Sequence, residues 1–324
     1  MATTAMKYLA AIAALALGVP ASAQTVYTIA TNPQGSIYYS AGAAVAKVGN
    51  DKLNLQMRVQ PYAGSSTYLP MLNRGEVDFS FNNVDDVEIG FRGVETFAGK
   101  PNPNIRLVGV IFPLPFAFMV AADAPWKKAE ELKGLRIPSE FTSQTTVQKL
   151  TEAALASAGL SYADMKGVPV ANSFQGTDLV PQGRADVAGT APGVANIQKA
   201  HIDMSSHGGV RFIGINDSPA GVQRMKKVFN SYPMPMEPAK HLPGIVGPTT
   251  VMGYSAFLVT HDKQPVELVY KLTKTIHASR DELIAVAPQL ARFDAKKMAE
   301  RNPVPYHPGA VKYYTEQGQW PPKQ

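Results

Sequence analysis

The sequence predicts an α/β protein of two lobes joined by a hinge. Three observations carry this. Short β-like runs alternate with helical segments, the order expected of a parallel sheet covered by helices. That alternation occurs twice in succession. After a proline-rich stretch, a further strand is placed to carry the chain back to the first unit. The 324 residues are enough for two domains, each with its own core.

Taken in order, residues 26–30 read as a strand, 36–48 as a helix with a small-residue face, and 55–60 as a strand. Residues 65–72 form a short helix that Asn73-Arg74-Gly75 stops, with glycine at the C-terminal cap. Residues 77–81 are a third strand. Two apolar runs, 105–111 and 116–122, follow with Pro113 and Pro115 between them. The first crossing between lobes is expected near residues 120–122. The second unit reads as strand 135–137, helix 143–158 closed by Gly159, strand 168–171, helix 173–180, and strands 185–188 and 210–215. Residues 230–250 hold Pro233, Pro235, Pro238, Pro243 and Pro248, a long irregular segment of the kind that is functional or linking. Residues 251–260 are the returning strand, with a second hinge crossing near 254–258. Residues 266–279 and 281–287 are helical, and the last twenty residues show no clear period. Lobe 1 is therefore expected over 24–120 and, on the return, 254–324; lobe 2 is expected over 121–253.

Ahead of these elements, Lys7 precedes an apolar run over residues 8–19. Pro20 breaks the run, and Ala21-Ser22-Ala23 matches a small-residue cleavage site. Residues 1–23 thus have the form of a secretory signal peptide cleaved after Ala23, which implies a periplasmic mature chain. The run is too short to remain as an anchor, and no later stretch reaches the roughly 18 apolar residues of a membrane span. The chain has no cysteine, which removes thiolate nucleophiles, thiolate metal sites and lipidation at an N-terminal Cys. The formal charge is +6, and loss of Lys7 with the signal makes it +5. The basic residues are scattered rather than clustered, which argues against nucleic-acid binding. A mild positive field favours an anionic ligand weakly.

Three segments are more specific than pattern. One is Gly35-Ser36-Ile37-Tyr38-Tyr39, after the first strand and opening a helix. Another is Gly75-Glu76-Val77-Asp78, followed by Asp85. The third is Pro305-Tyr306-His307-Pro308-Gly309-Ala310-Val311-Lys312-Tyr313-Tyr314-Thr315-Glu316-Gln317-Gly318. Together, in order and spacing over nearly the whole chain beyond the signal, they resemble the TAXI family of TRAP transporter solute receptors. That family's first loop looks like G-G-T-Y-Y and its C-terminus like H-P-G-A-x-x-Y-Y-x-E-x-G. The resemblance implies a type II periplasmic-binding fold and no enzymatic activity. It also implies delivery of the ligand to a membrane carrier driven by an ion gradient rather than ATP. Ligands of the family are often carboxylates such as glutamate or 2-oxoglutarate. One departure stands out. Where the family shows a glycine-serine-glycine-threonine turn, this chain has Ser143-Gln144-Thr145-Thr146, preceded by Glu140 and Phe141. Without glycine the backbone approaches a ligand less closely, and hydroxyl and amide side chains take its place.

Ligands of open parallel sheets sit beyond the carboxyl ends of strands, and the candidate contacts fall there. Gly35 and Ser36 open a helix whose free N–H groups can hold an anion, although a tight turn explains them equally simply. Tyr38 and Tyr39 diverge by about 100° on that helix, so one faces the core and the other the cleft. Ser65 and Ser66 open the next helix, as caps, ligand contacts or both. Asn83 and Asp85 follow a strand end, where turn chemistry is the plainer explanation. Ser143, Gln144, Thr145 and Thr146 open the first helix of the second unit, and Thr190 follows one of its strands. No Arg is fixed by motif at these loops. The expected ligand is therefore a small organic acid, a carboxylate or amino acid, held by backbone N–H groups and hydroxyls with a tyrosine against its apolar part.

Catalysis is not expected. The six histidines include no pair four apart and no H-E-x-x-H, so no metal site is predicted, and His307 reads as structural. No G-x-S-x-G elbow occurs in the mature chain and no base is identifiable for a nucleophile, so no catalytic residue and no cofactor is assigned. The expected partners are the organic acid and a membrane-embedded carrier, with the chain acting as a monomer. Two other classes share such a fold: a periplasmic sensor that presents its ligand state to a membrane kinase, and an enzyme that would turn over its bound compound.

Overall fold

The computed structural model describes residues 25–322. The expected signal peptide and its cleavage site lie outside them. The first unit comprises β1 (Val26–Thr31), α1 (Ile37–Leu53), β2 (Gln56–Pro61), α2 (Ser65–Arg74), β3 (Phe79–Asn83) and α3 (Val84–Arg92). β2 and β3 flank β1 and both run parallel to it. β3, between two strands, is buried along its whole length. The small-residue face of α1 lets it lie close to the sheet: a Cβ on Gly49 would stand 2.5 Å from the Met57 sulfur. α2 ends at Gly75, whose φ of +78° suits glycine and few other residues.

Two long strands are shared by both halves of the molecule. β4 (Ile105–Ala121) and β10 (Thr249–His261) pair antiparallel with each other. β10 meets β3 through residues 256–260 and the proline-rich β9 (Tyr232–Met236) through residues 249–253. The sequence suggests two apolar runs broken by Pro113 and Pro115, but the structure has one strand. Ladder donors alternate in direction along a strand, so prolines two apart lose their N–H on the same edge. On the edge away from β10, Leu107 makes an isolated bridge to Tyr306, and β7 begins to pair at Ala117, beyond both prolines. The same spacing puts Pro233 and Pro235 of β9 at the margin of the sheet, and part of the segment expected to be irregular is thus an edge strand. Val120 and Ala121, near the expected first crossing, pair with Arg211 and Val210 inside a ladder.

The second unit comprises β5 (Arg136–Glu140), α4 (Thr145–Ser157), β6 (Lys166–Val170), α5 (Ser173–Asp178), β7 (Ala188–Thr190), α6 (Ala195–Asp203), β8 (Val210–Ile213) and α7 (Pro219–Val228). It repeats the first at a nearly constant offset. The N-caps Ser36 and Gln144 are 108 positions apart, as are Ser65 and Ser173, which open α2 and α5. Asp78 accepts from the backbone N–H of Thr28 at 2.8 Å, and 108 positions on, Asp186 accepts from that of Arg136 at 2.8 Å. The G-x-x-D element of the sequence is thereby explained. Its aspartate ties the first strand of each unit to the loop before the third, and Asp78 also accepts from Gln264.

After β10 the chain forms α8 (Val266–His277), α9 (Arg280–Val286) and α10 (Pro308–Glu316). The last segment, expected to lack regular structure, is the C-terminal motif wound into a helix. His307 caps it: Nδ1 accepts from the Gly309 N–H at 3.1 Å, and Nε2 lies 3.1 Å from the Gln264 carbonyl, to which it donates. Burial holds this imidazole's pKa below its usual value, which keeps Nδ1 free to accept. A Cβ on Gly309 would collide with the Val266 carbonyl, so glycine sets the spacing of α10 against α8. Tyr314 donates to the Val108 carbonyl of β4 at 2.7 Å and is fully buried. The most distinctive motif in the sequence is thus a packing device. One apolar core runs through both units, with Phe112, Phe118 and Phe257 at its centre.

Candidate functional site

Five helices of eight residues or more begin at one place between the two units: α1, α2 and α3 from the first, α4 and α6 from the second. A cavity of about 80 Å³ lies there, floored by Leu114 of β4 and Tyr254 of β10. Its volume suits a ligand of a few heavy atoms. The repeat makes its walls nearly symmetric. Ser36 faces its counterpart Gln144, Tyr38 has Thr146, and Ser65 has Ser173, and all six line the cavity. The symmetry breaks at α3 and α6, whose starts are 111 positions apart: Asn83 caps α3 with its side chain, whereas Val194 precedes α6 and offers none. There the first unit lines the cavity with Asn83 and Asp86, the second with Ala191, Val194 and Asn196.

Among the described residues that line the cavity, none is Lys, Arg or His. Donors come from helix starts and side chains. Ser36 caps α1 by accepting from the Tyr39 N–H at 3.1 Å, and the first N–H groups of a helix have no intrahelical acceptor. Gln144 precedes α4 without a side-chain cap. Its Oε1 accepts from the Ser173 N–H at 2.9 Å, which fixes the amide and leaves Nε2 buried without a partner. Asn196 Oδ1 is likewise buried and unpartnered. Buried polar atoms are nearly always bonded, so an unpaired donor and an unpaired acceptor lining one cavity mark where a ligand's groups belong.

Asp86 is the one acid of the lining. It is the third residue of α3, its N–H bonds to Asn83 Oδ1 at 2.9 Å, and its Oδ2 accepts from Asn83 Nδ2 at 2.8 Å. Oδ1 accepts from the Thr146 hydroxyl across the cleft. Burial pushes its pKa up to about 6, against the pull of hydrogen bonds from Ser65, Thr146 and Asn83. Tyr38 stacks on Phe81 at 6.3 Å between centroids, and burial holds its hydroxyl well above the usual tyrosine range.

The remaining sequence candidates fall around the cavity rather than in its wall. Ser36, Tyr38, Ser65, Asn83, Gln144, Thr146 and Thr190 line it; Gly35, Tyr39, Ser66, Asp85, Ser143 and Thr145 do not. Several of these join the two units instead. The Gly35 carbonyl accepts from the Ala195 N–H at 3.2 Å. Asp85 pairs with Lys149 at 2.8 Å, and Lys149 also reaches Glu95 at 3.0 Å. Thr145 and Thr96 share a hydrogen bond of 2.7 Å. Ser143 donates to the Ala171 carbonyl within its own unit, and Gly64 lies so close to the Ser143 carbonyl that no Cβ fits between them. Tyr39 is half-buried, and its neighbour Tyr38 takes the cavity side of α1. Where the glycine-rich turn is absent, Glu140 and Phe141 both adopt positive φ, 69° and 45°, a strained form for such residues. Sequence reasoning missed Asp86, Ser173, Asn196 and Tyr254. The 108-residue repeat was the signal that could have found Ser173, since it projects Ser65 onto it.

The two α/β units and the cleft between them define the class: a fold of the periplasmic-binding-protein type. The NMT1-like family model matches residues 29–318, and the chain belongs to that family. A protein described as a periplasmic transporter superposes with a TM-score of 0.55 at 16% identity, over 82% of this chain and 87% of that one. PhnD1 from Prochlorococcus marinus, in complex with methylphosphonate, gives 0.52 at 10% identity, over 91% and 98%. The alkanesulfonate-binding protein SsuA from Xanthomonas axonopodis pv. citri, bound to MOPS, gives 0.50 at 14% identity, over 92% and 93%. At these identities the likeness is one of fold. Among the described residues no helix is long and apolar enough to cross a membrane, and no cluster of His, Cys, Asp and Glu could hold a metal ion.

Proposed function

We propose that this chain, exported by its N-terminal segment and acting as a monomer, is the periplasmic solute-binding subunit of a membrane carrier of the ion-gradient-driven TRAP type. It captures a small organic acid between its lobes and does no chemistry on it. The observation that carries the reading is the inter-lobe cavity, whose walls come from both lobes and leave Gln144 Nε2 and Asn196 Oδ1 without protein partners. The motifs shared with TAXI receptors support the TRAP assignment. The helix starts around the cavity support an acid, since they offer N–H groups and a partial positive charge to an anionic group. With no guanidinium in the lining, a bidentate clamp plays no part.

Native mass spectrometry of protein purified from the periplasm of its host tests this directly. A co-purified small acid is expected. At a hundred times its Kd that compound should stabilise the protein by about 2.7 kcal/mol. A compound that the protein converts to product would overturn the binding-only reading. Uptake in reconstituted vesicles that needs ATP, rather than an ion gradient, would remove the TRAP assignment alone.

A further inference from the structure

We propose that Asp86 is the specificity-determining residue of the cleft, obliging the ligand to present a hydrogen-bond donor, an ammonium or hydroxyl, beside its acid group. The inference deepens the solute-binding reading above and rests on it. It starts from the broken symmetry. Where α3 and α6 begin, lobe 1 lines the cavity with Asn83 and Asp86 and lobe 2 with Ala191, Val194 and Asn196, so that the carboxylate has no counterpart on lobe 2. A ligand in this cavity therefore meets a carboxylate on one side, and aliphatic carbon and a neutral amide on the other.

The α3 cap occupies only part of this carboxylate. Asn83 engages Oδ2, while Oδ1 reaches across the cleft to Thr146. No cation balances it: Lys149, the charged group of α4 nearest this corner, is engaged by Asp85 and Glu95. Ser65 also hydrogen-bonds to it, and Asp85 and the phenols of Tyr38, Tyr68 and Tyr254 lie within reach of its charge. A buried carboxylate accepts hydrogen bonds and repels a second acceptor. A ligand carboxylate placed against it would face like charge, whereas an ammonium or hydroxyl would be bonded.

Gln144 Nε2 supplies the opposite chemistry. It is an unpaired donor at the start of α4, on a residue only 3% exposed. The acid group belongs there, among donors, and the donor group belongs at Asp86, with the unpaired Asn196 Oδ1 as a further acceptor. The class that satisfies both ends is a 2-amino or 2-hydroxy acid. Its 2-oxo analogue brings an acceptor to Asp86, and its unsubstituted analogue brings only C–H.

Calorimetric titration with two matched series tests this on the mature chain. One series is 2-aminobutyrate, 2-hydroxybutyrate, 2-oxobutyrate and butyrate. The other is glutamate, 2-hydroxyglutarate, 2-oxoglutarate and glutarate. In at least one series the amino or hydroxy member should bind tenfold or more tighter than its oxo and unsubstituted partners. Asp86→Asn should reduce that preference to threefold or less. Thr146→Val, which removes the cross-cleft bond but keeps the carboxylate, should retain it. Circular dichroism confirms that each variant folds. Equal or tighter binding of the oxo or unsubstituted acids overturns the donor requirement and leaves the solute-binding reading standing. Preference that survives in Asp86→Asn overturns the role of Asp86. Binding of no acid in either series overturns the proposal, and if native mass spectrometry also finds no bound small molecule, the solute-binding reading falls with it.

Discussion

Asp86 shows how one residue couples the site to stability. Its carboxyl titrates near pH 6 in the folded protein, above the ordinary value of 3.8, because burial disfavours the charge. The sign follows from linkage. As pH falls from 8 toward 4 the folded protein takes up a proton that the unfolded chain does not, so this residue's destabilising contribution is full above about pH 6 and gone below about pH 4. Its ceiling is on the order of 3 kcal/mol. The ligand-free wild type should therefore gain stability relative to Asp86→Asn between pH 8 and pH 4.5. Urea midpoints of both proteins at the two pH values measure this, and parallel pH dependence would refute it.

At the scale of elements, the two ends of the repeat do different work. α4 touches α3 and the turn after it through Lys149, Thr145 and Thr146, a set of polar contacts that exists only while the lobes are together. Lys149→Met should raise the dissociation rate of a bound acid severalfold, because a part-buried pair of this kind contributes about 1 kcal/mol. Melting of the free protein should change little. Stopped-flow release kinetics beside a thermal melt separates the two effects. α10 is the converse case, remote from the cleft and held by packing. Gly309→Ala would force a Cβ onto the backbone of α8 and should cost about 2 kcal/mol of stability. Ligand affinity, measured on the fraction that remains folded, should be unchanged, whereas a fall in affinity with normal stability would mean that α10 communicates with the cleft.

For the whole molecule, the ladder partners of β10 change between Gly253 and Ala256, leaving Tyr254 and Ser255 between the two lobes and opposite Leu114 and Pro113. We propose these residues, which fall within the expected crossing at 254–258, as the hinge. Tyr254, with Leu114 opposite it, also floors the cavity, so bending there opens it. Closure depends on Gly64, which meets the Ser143 carbonyl with no room for a side chain. Gly64→Ala should hold the lobes apart. Small-angle scattering should show the wild type contracting with saturating ligand and the variant failing to contract, with affinity reduced tenfold or more. A variant that contracts as the wild type does would remove Gly64 from the closing surface.

The sequence by itself determined what depends on neighbours along the chain. Alternating strands and helices, Gly75 and Gly159 at helix ends, Ser36 at a helix start and the small-residue face of α1 are local chemistry, and they suffice for the fold class. α10 escaped because its prolines and aromatics mask the period, and its cap is a histidine rather than a serine or aspartate. Only the tertiary structure decided which polar residues share the cavity. Asp85 and Asp86 are adjacent in the chain, yet about 100° of helix rotation sends one to Lys149 on the rim and the other into the cleft. Likewise Thr145 bonds Thr96 while Thr146 reaches Asp86. Which face meets the opposite lobe is set by the register of β4 against β10 and by how closely the lobes close, and both are relations between residues far apart in sequence.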